Sequence, residues 1–148
     1  MTARETIDEF LGCKRIAVAG VSRNPKDFTR SLFGEFRRRG YDVVPVTPHA
    51  GEVDGIACFA RMQDISPPVD GALLLTSPSV TNQVVHDCAD AGIRRIWMFR
   101  GGGKGAVSDS ALEFCESRNM HVVGGECPFM FFPHTSLVHR IHGWFHRV

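Results

Sequence analysis

Apolar and polar positions follow two rhythms along this chain. Short apolar runs over Arg15 to Gly20, Asp42 to Thr47, Asp70 to Thr76 and Arg95 to Phe99 predict strands buried on both faces. Between them the period becomes helical. Phe28, Leu32 and Phe36 recur every four residues across Asp27 to Arg39, with basic residues opposite, and Gly40 stands where a helix C-terminal glycine belongs. Glu5 to Leu11 predicts a short first helix stopped by Gly12. Val80 to Ala91 predicts another, ended by Gly92, and Ser108 caps one that reaches Arg118. Met120 to Val123 is the last strand, and a C-terminal helix is expected over Thr135 to Arg147. Pro45 inside the second strand predicts a position whose N–H is free, or a bulge. Residues 49 to 68 are less regular, with a short strand at Ile56 to Phe59 and a break at Pro67-Pro68.

Strands that alternate with helices at such short spacing predict an α/β fold. The expected form is a doubly wound parallel sheet with helices on both faces, plus the added C-terminal helix. At 148 residues the chain is read as one domain over 1–148, with its core at about 10–130. Apolar residues make up 43% and charged residues 22%, which is ordinary for a globular domain. The formal charge of +1 removes the electrostatic argument for a nucleic-acid partner. No apolar run is long enough to span a bilayer, and Glu5, Asp8 and Glu9 stand where a secretory signal is apolar. Five cysteines, widely spaced and without a CxxC pair, favour reduced thiols of a cytoplasmic protein and disfavour a zinc ribbon.

Candidate chemistry concentrates at the carboxyl ends of the strands, where open α/β sheets bind ligands. The first loop, Gly20-Val21-Ser22-Arg23-Asn24-Pro25, combines a tight turn, a hydroxyl and helix-terminal N–H groups, with Arg23, Lys26 and Arg30 adding positive charge. An ordinary surface turn with solvated basic residues is the alternative. The loop lacks the G-x-G-x-x-G spacing of a dinucleotide site. The second strand ends in Val46-Thr47-Pro48, with no carboxylate for a ribose diol. NAD is therefore disfavoured, and another adenine-containing, phosphate-rich ligand is favoured.

At these residues the chain resembles the small single-domain CoA-binding proteins, whose Rossmann-like fold is shared with the CoA-binding domain of succinyl-CoA synthetase. The resemblance rests on Gly20-Val21-Ser22-Arg23-Asn24-Pro25, Val46-Thr47-Pro48-His49, Val69-Asp70, Pro78, Trp97 and Cys127-Pro128, in that order over about residues 10 to 130. It implies that Gly20, Ser22 and Arg23 approach the phosphates of coenzyme A. It also implies that Thr47, Pro48 and His49 lie near the adenosine phosphate, and that Thr76, Ser77 and Pro78 line the pocket. Three positions depart from the family pattern: Val21 replaces Ala, His49 replaces a Lys, and Ser77 stands where an Arg is frequent. Histidine titrates near neutrality, so affinity is expected to fall between about pH 6 and 8 if His49 contacts a phosphate. The implied role is a non-catalytic module for CoA or an acyl-CoA.

Other features carry alternatives. Arg100-Gly101-Gly102-Gly103-Lys104-Gly105 can expose a row of N–H groups to an anion, with Gly101 at its start, or can be a flexible loop. It is not a P-loop, because Lys104 is followed by Gly105. Cys127 is either a buried structural thiol or the nucleophile of a CoA-dependent thiol or acyl transfer, with His134 or His49 as base. His139, His142 and His146 share one helical face. The apolar stripe beside them reads as a docking helix or a homodimer contact, and a homodimer with an idle pocket is a third reading. Phe129 to Phe132 is read as core or interface. No Ser-His-Asp order, carboxylate pair or metal motif stands out.

Overall fold

The computed structural model describes residues 2–49, 51–101 and 105–132. The expected C-terminal helix and His134, His139, His142 and His146 lie outside the described residues.

Helix α1 (Ala3–Leu11) opens on a capping box. The Glu5 N–H donates to Thr2 Oγ1 at 3.1 Å, and the Thr2 N–H donates to Glu5 Oε1 at 2.7 Å, satisfying two end donors reciprocally. Strand β1 (Arg15–Ala19) leads to α2 (Phe28–Arg38), which Asp27 caps by accepting from the Thr29 N–H at 2.8 Å. Gly40, at φ +99°, turns the chain into β2 (Asp42–Val46). The irregular stretch then forms a small antiparallel hairpin, β3 (Glu52–Val53) and β4 (Ile56–Ala57), followed by a 3-10 turn at Met62–Asp64. After β5 (Gly71–Leu74) come α3 (Pro78–Asp90), β6 (Arg95–Phe99), α4 (Asp109–Ser117) and β7 (His121–Glu126).

The five long strands form one parallel sheet in the order β2-β1-β5-β6-β7. Its register sets Ile16 beside Val43 and Gly71, and Ala72 beside Ile96. Pro45 lies in an edge strand. Its carbonyl accepts from the Phe59 N–H on the outer side of the sheet. The ring nitrogen faces the same way, so the proline costs no bond to β1. The last strand runs three residues beyond expectation, through Gly124-Gly125-Glu126, with an irregular register that pairs Phe99 with Glu126.

Alternate residues of each strand point to opposite faces, and each face has its own core. Ile16, Val18, Leu73 and Trp97 pack with Ile7 and Phe10 of α1 and Leu32, Phe33 and Phe36 of α2. Ala17, Leu74, Ile96 and Met98 pack with Val85 and Cys88 of α3 and Ala111 and Cys115 of α4. Burying each large side chain contributes about 1.5–3 kcal/mol, and the two cores are the main source of stability. The Phe129–Phe132 segment folds back on the α2 face. Phe129 meets Phe28 at 5.6 Å and Phe132 meets Phe36 at 5.0 Å between ring centroids; Phe132 is in the core, Phe129 and Phe131 are half-buried against it, and Met130 is 69% exposed.

Polar side chains tie the amino end of the sheet together. Glu9 of α1 accepts from Arg95 Nε at 3.0 Å and pairs with His121 Nδ1 at 2.9 Å. Asp70 accepts from the backbone N–H groups of Lys14 and Arg15 at 2.9 and 3.1 Å.

Candidate functional site

The strand order reverses between β1 and β5, because the chain first moves outward to β2 and then returns across β1. A crevice outside the carboxyl ends of the strands follows from that reversal. It is present as a cleft of about 610 Å³, running from the β1 and β5 ends along α3.

Two loops form its floor, and Gly20 is why they can meet. Its φ is +91°, a conformation that side chains strain to adopt, and a Cβ there would lie 2.7 Å from the Leu75 carbonyl carbon and oxygen. Backbone approaches backbone at this point. On the other side, Thr76 and Thr81 share a 2.6 Å hydroxyl contact, and Thr81 Oγ1 donates to the Ser77 carbonyl at 3.0 Å. Thr81 is completely buried and pins the β5–α3 turn. Ser77 is the N-cap of α3 without a side-chain cap bond, and Pro78 follows at the first turn. The first-turn N–H groups of α3 therefore have no intrahelical partner and favour an anion.

Of the residues singled out from the sequence, Gly20, Thr47, Pro48, His49, Thr76 and Ser77 line the cleft. Pro78 begins α3 beside them. Val21, Ser22, Arg23 and Asn24 form the loop that leaves β1. That loop is braced from within: the Ser22 N–H donates to Thr29 Oγ1 at 2.9 Å and the Asn24 N–H to Ser22 Oγ at 3.0 Å. Arg30 donates to the Ser22 and Arg23 carbonyls at 3.4 and 3.2 Å and pairs with Asp54. Its guanidinium holds the loop in shape. The Thr29 N–H and hydroxyl hold the Asp27 carboxyl below the usual carboxylate range, which keeps the α2 cap ionised.

Other expected residues sit apart from the cleft. Gly101 lies in the β6–α4 loop, where a Cβ would meet the Phe99 ring at 2.9 Å. Cys127 leaves the sheet after β7, at the opposite edge from His49, which follows β2. Four strand spacings of about 4.8 Å separate those edges by about 19 Å, whereas a general base works within about 3 Å of its proton. All five cysteines are free. Burial pushes the Cys13 and Cys115 thiols up to about 11, and the Cys88 thiol higher still, so these three are structural. Among the described residues there is no group of three or more His, Cys, Asp or Glu side chains that could hold a metal ion, and no helix long and apolar enough to cross a membrane.

The cleft also has walls that the sequence reading did not identify. Arg61 and Met62 enter from the 3-10 turn, and Val80, Gln83, Val84 and Asp87 from one stripe of α3. Arg61, with its side chain 61% exposed, pairs with Asp64 at 3.0 Å at the cleft wall. The i, i+3, i+4, i+7 spacing on α3 was the available signal, but it is also the spacing of an ordinary core face.

A family model described as a CoA binding domain matches residues 14–133. The chain is 24% identical over 138 residues to the alpha subunit of an ADP-forming acetate–CoA ligase II from Pyrococcus furiosus, covering 88% of this chain and 30% of that protein. It thus spans less than a third of that relative. It is 22% identical over 114 residues to an uncharacterized protein, YneT, of Bacillus subtilis, covering 77% of this chain and 82% of that one. The solved structure of a hypothetical protein from Pyrococcus horikoshii OT3 superposes with a TM-score of 0.79 at 22% identity, over 88% of this chain and 89% of that one, and shares the fold.

Proposed function

The chain belongs to the CoA binding domain family, and on that premise we propose that the switch-point cleft holds coenzyme A or an acyl-CoA as a non-catalytic binding module. The observation that carries the reading is the Gly20 approach to Leu75. It opens the β1 loop and the α3 N-terminus onto the same space. Anionic phosphates fit there, against unpaired helix N–H groups and beside His49 and Arg61. No carboxylate stands at the end of β2 to take up the ribose diol of NAD. The apolar walls, Val46, Met62 and Val84 among them, suit a base.

The proposed residues are Gly20 to Asn24 for the phosphates, Thr47 to His49 for the adenosine phosphate, and Thr76 to Pro78 for the pocket rim. His49 stands too far across the sheet to serve Cys127 as a base, and His134, the other candidate base, lies outside the described residues; the binding reading comes first on the strength of the cleft. Calorimetric titration with CoA, acetyl-CoA, NAD and ATP tests it. Micromolar CoA binding with much weaker NAD binding is expected. Absence of CoA binding would overturn the reading.

A further inference from the structure

The loop that leaves β1 turns its carbonyls one way. The Ser22 and Arg23 carbonyls accept from Arg30 Nη1 at 3.4 and 3.2 Å, and the Asn24 carbonyl accepts from the Asp27 N–H at 3.0 Å. In a trans peptide the C=O and the following N–H point in opposite directions. The Arg23 and Asn24 N–H groups are therefore turned away from Arg30. Asn24 donates to Ser22 Oγ, and the Arg23 N–H has no protein partner among the described residues. An anion meets N–H groups in such a loop only while the carbonyls stay on the far side.

Arg30 does not hold this arrangement alone. It sits in the first turn of α2 with its side chain 13% exposed, and its Nη2 pairs with Asp54. Asp54 and Gly55 are the two turn residues between β3 and β4, with φ of 52° and 81°, the left-handed pair that a two-residue hairpin turn uses. The Asp54 carbonyl accepts from Arg37 Nη1 at 3.2 Å, two turns further along the same face of α2. The hairpin is thus clamped to α2 at two points, and one clamp is the guanidinium that holds the β1 loop. The hairpin belongs to the chain that leaves β2 after Thr47 to His49. The Arg30–Asp54 pair therefore joins the two loops assigned to the ligand's phosphates.

We propose that Arg30 is a positioning residue that keeps the β1 loop's N–H groups facing the phosphates, and that Asp54, outside the cleft, sets CoA affinity by anchoring it. This rests on the cleft binding CoA. The planar fork serves Asp54 through one nitrogen and the loop carbonyls through the other, a spread that a lysine ammonium does not reproduce. A direct contact of Arg30 with phosphate has the opposite consequence: Asp54 would then compete with the ligand, and removing its charge would tighten binding.

The test is calorimetric titration of the full chain and two variants with CoA, with amide shifts recorded for each ligand-free protein. Asp54→Asn keeps the turn, because asparagine tolerates positive φ, and removes the charge. Arg30→Lys keeps the charge and removes the fork. Affinity is expected to fall about fivefold in Asp54→Asn and about tenfold in Arg30→Lys, the size of one hydrogen bond to a charged group. The Arg23 and Asn24 amides should shift in both while those of β6 stay in place, a signature that general destabilisation does not give. Unchanged or tighter binding by Asp54→Asn would overturn the inference, and this variant decides alone if Arg30→Lys does not fold. Full affinity in a folded Arg30→Lys, or weaker binding with the loop amides unmoved, would also overturn it. If the unmodified chain binds no CoA, the CoA reading itself fails and takes this inference with it.

Discussion

Gly20 bears more of the site than any other residue. Its positive φ and the 2.7 Å approach of Leu75 leave no room for a Cβ, and the atoms it would strike are backbone. Strained conformations of this kind cost about 1–3 kcal/mol. Gly20→Ala should therefore lower stability by at least about 2 kcal/mol in urea unfolding and abolish CoA binding, since the two floor loops must separate. Unchanged stability and affinity would mean that the close approach is dispensable. At this scale the sequence was informative where chemistry and backbone coincide. Gly20 was legible as a turn glycine at a strand end, and Thr47 to His49 and Thr76 to Ser77 as strand-end residues. Asp87, Arg61 and Thr81 were not. A buried threonine and a lone acid in an amphipathic helix look like ordinary helix residues until the opposing wall is known.

Among elements, the long strands and helices followed their periodicities closely. The α2 pattern of Phe28, Leu32 and Phe36 places Leu32 and Phe36 fully in the core, while Phe28, at the helix start, remains 46% exposed. The hairpin of β3 and β4 was less legible, because two-residue strands leave no alternation to read. The extension of β7 was hidden by Gly124 and Gly125, which strands normally avoid. The elements are also tied to one another by charge at the amino end of the sheet. Partial burial tends to raise the Glu9 carboxyl, but the hydrogen bonds from His121 and Arg95 outweigh it and hold the group below the usual carboxylate range. The Arg15 and Lys14 N–H groups do the same for Asp70 against a smaller cost of burial. For a carboxylate depressed in this way, the stabilisation is fully present above its unfolded value of about 4. It is lost as pH falls through the folded value. The urea midpoint is therefore expected to hold steady from pH 7 to about 5 and to drop below about 4. A midpoint that stays level down to pH 3 would remove these contacts from the account.

In the molecule as a whole, the ionic ties and the proposed binding cleft occupy opposite ends of one sheet. The amino end carries Glu9, Asp70, Arg95 and His121, paired with one another or with backbone. The carboxyl end keeps unpaired helix N–H groups and the cleft. The cleft's place follows from strand order: at the reversal, the loops leaving the carboxyl ends of β1 and β5 run to helices on opposite faces and open a crevice between them. The fold class was readable from the alternation of strand and helix. The reversal itself was not, because periodicity says nothing about which strands are neighbours. Whether CoA sits at the switch point is read from amide chemical shifts during a CoA titration. The perturbed amides are expected to cluster at Gly20 to Asn24, Thr47 to His49 and Thr76 to Val80, with Asp87 at the far limit. Perturbations centred instead on Gly92 to Arg95 and His121, or on Cys127 alone, would contradict it.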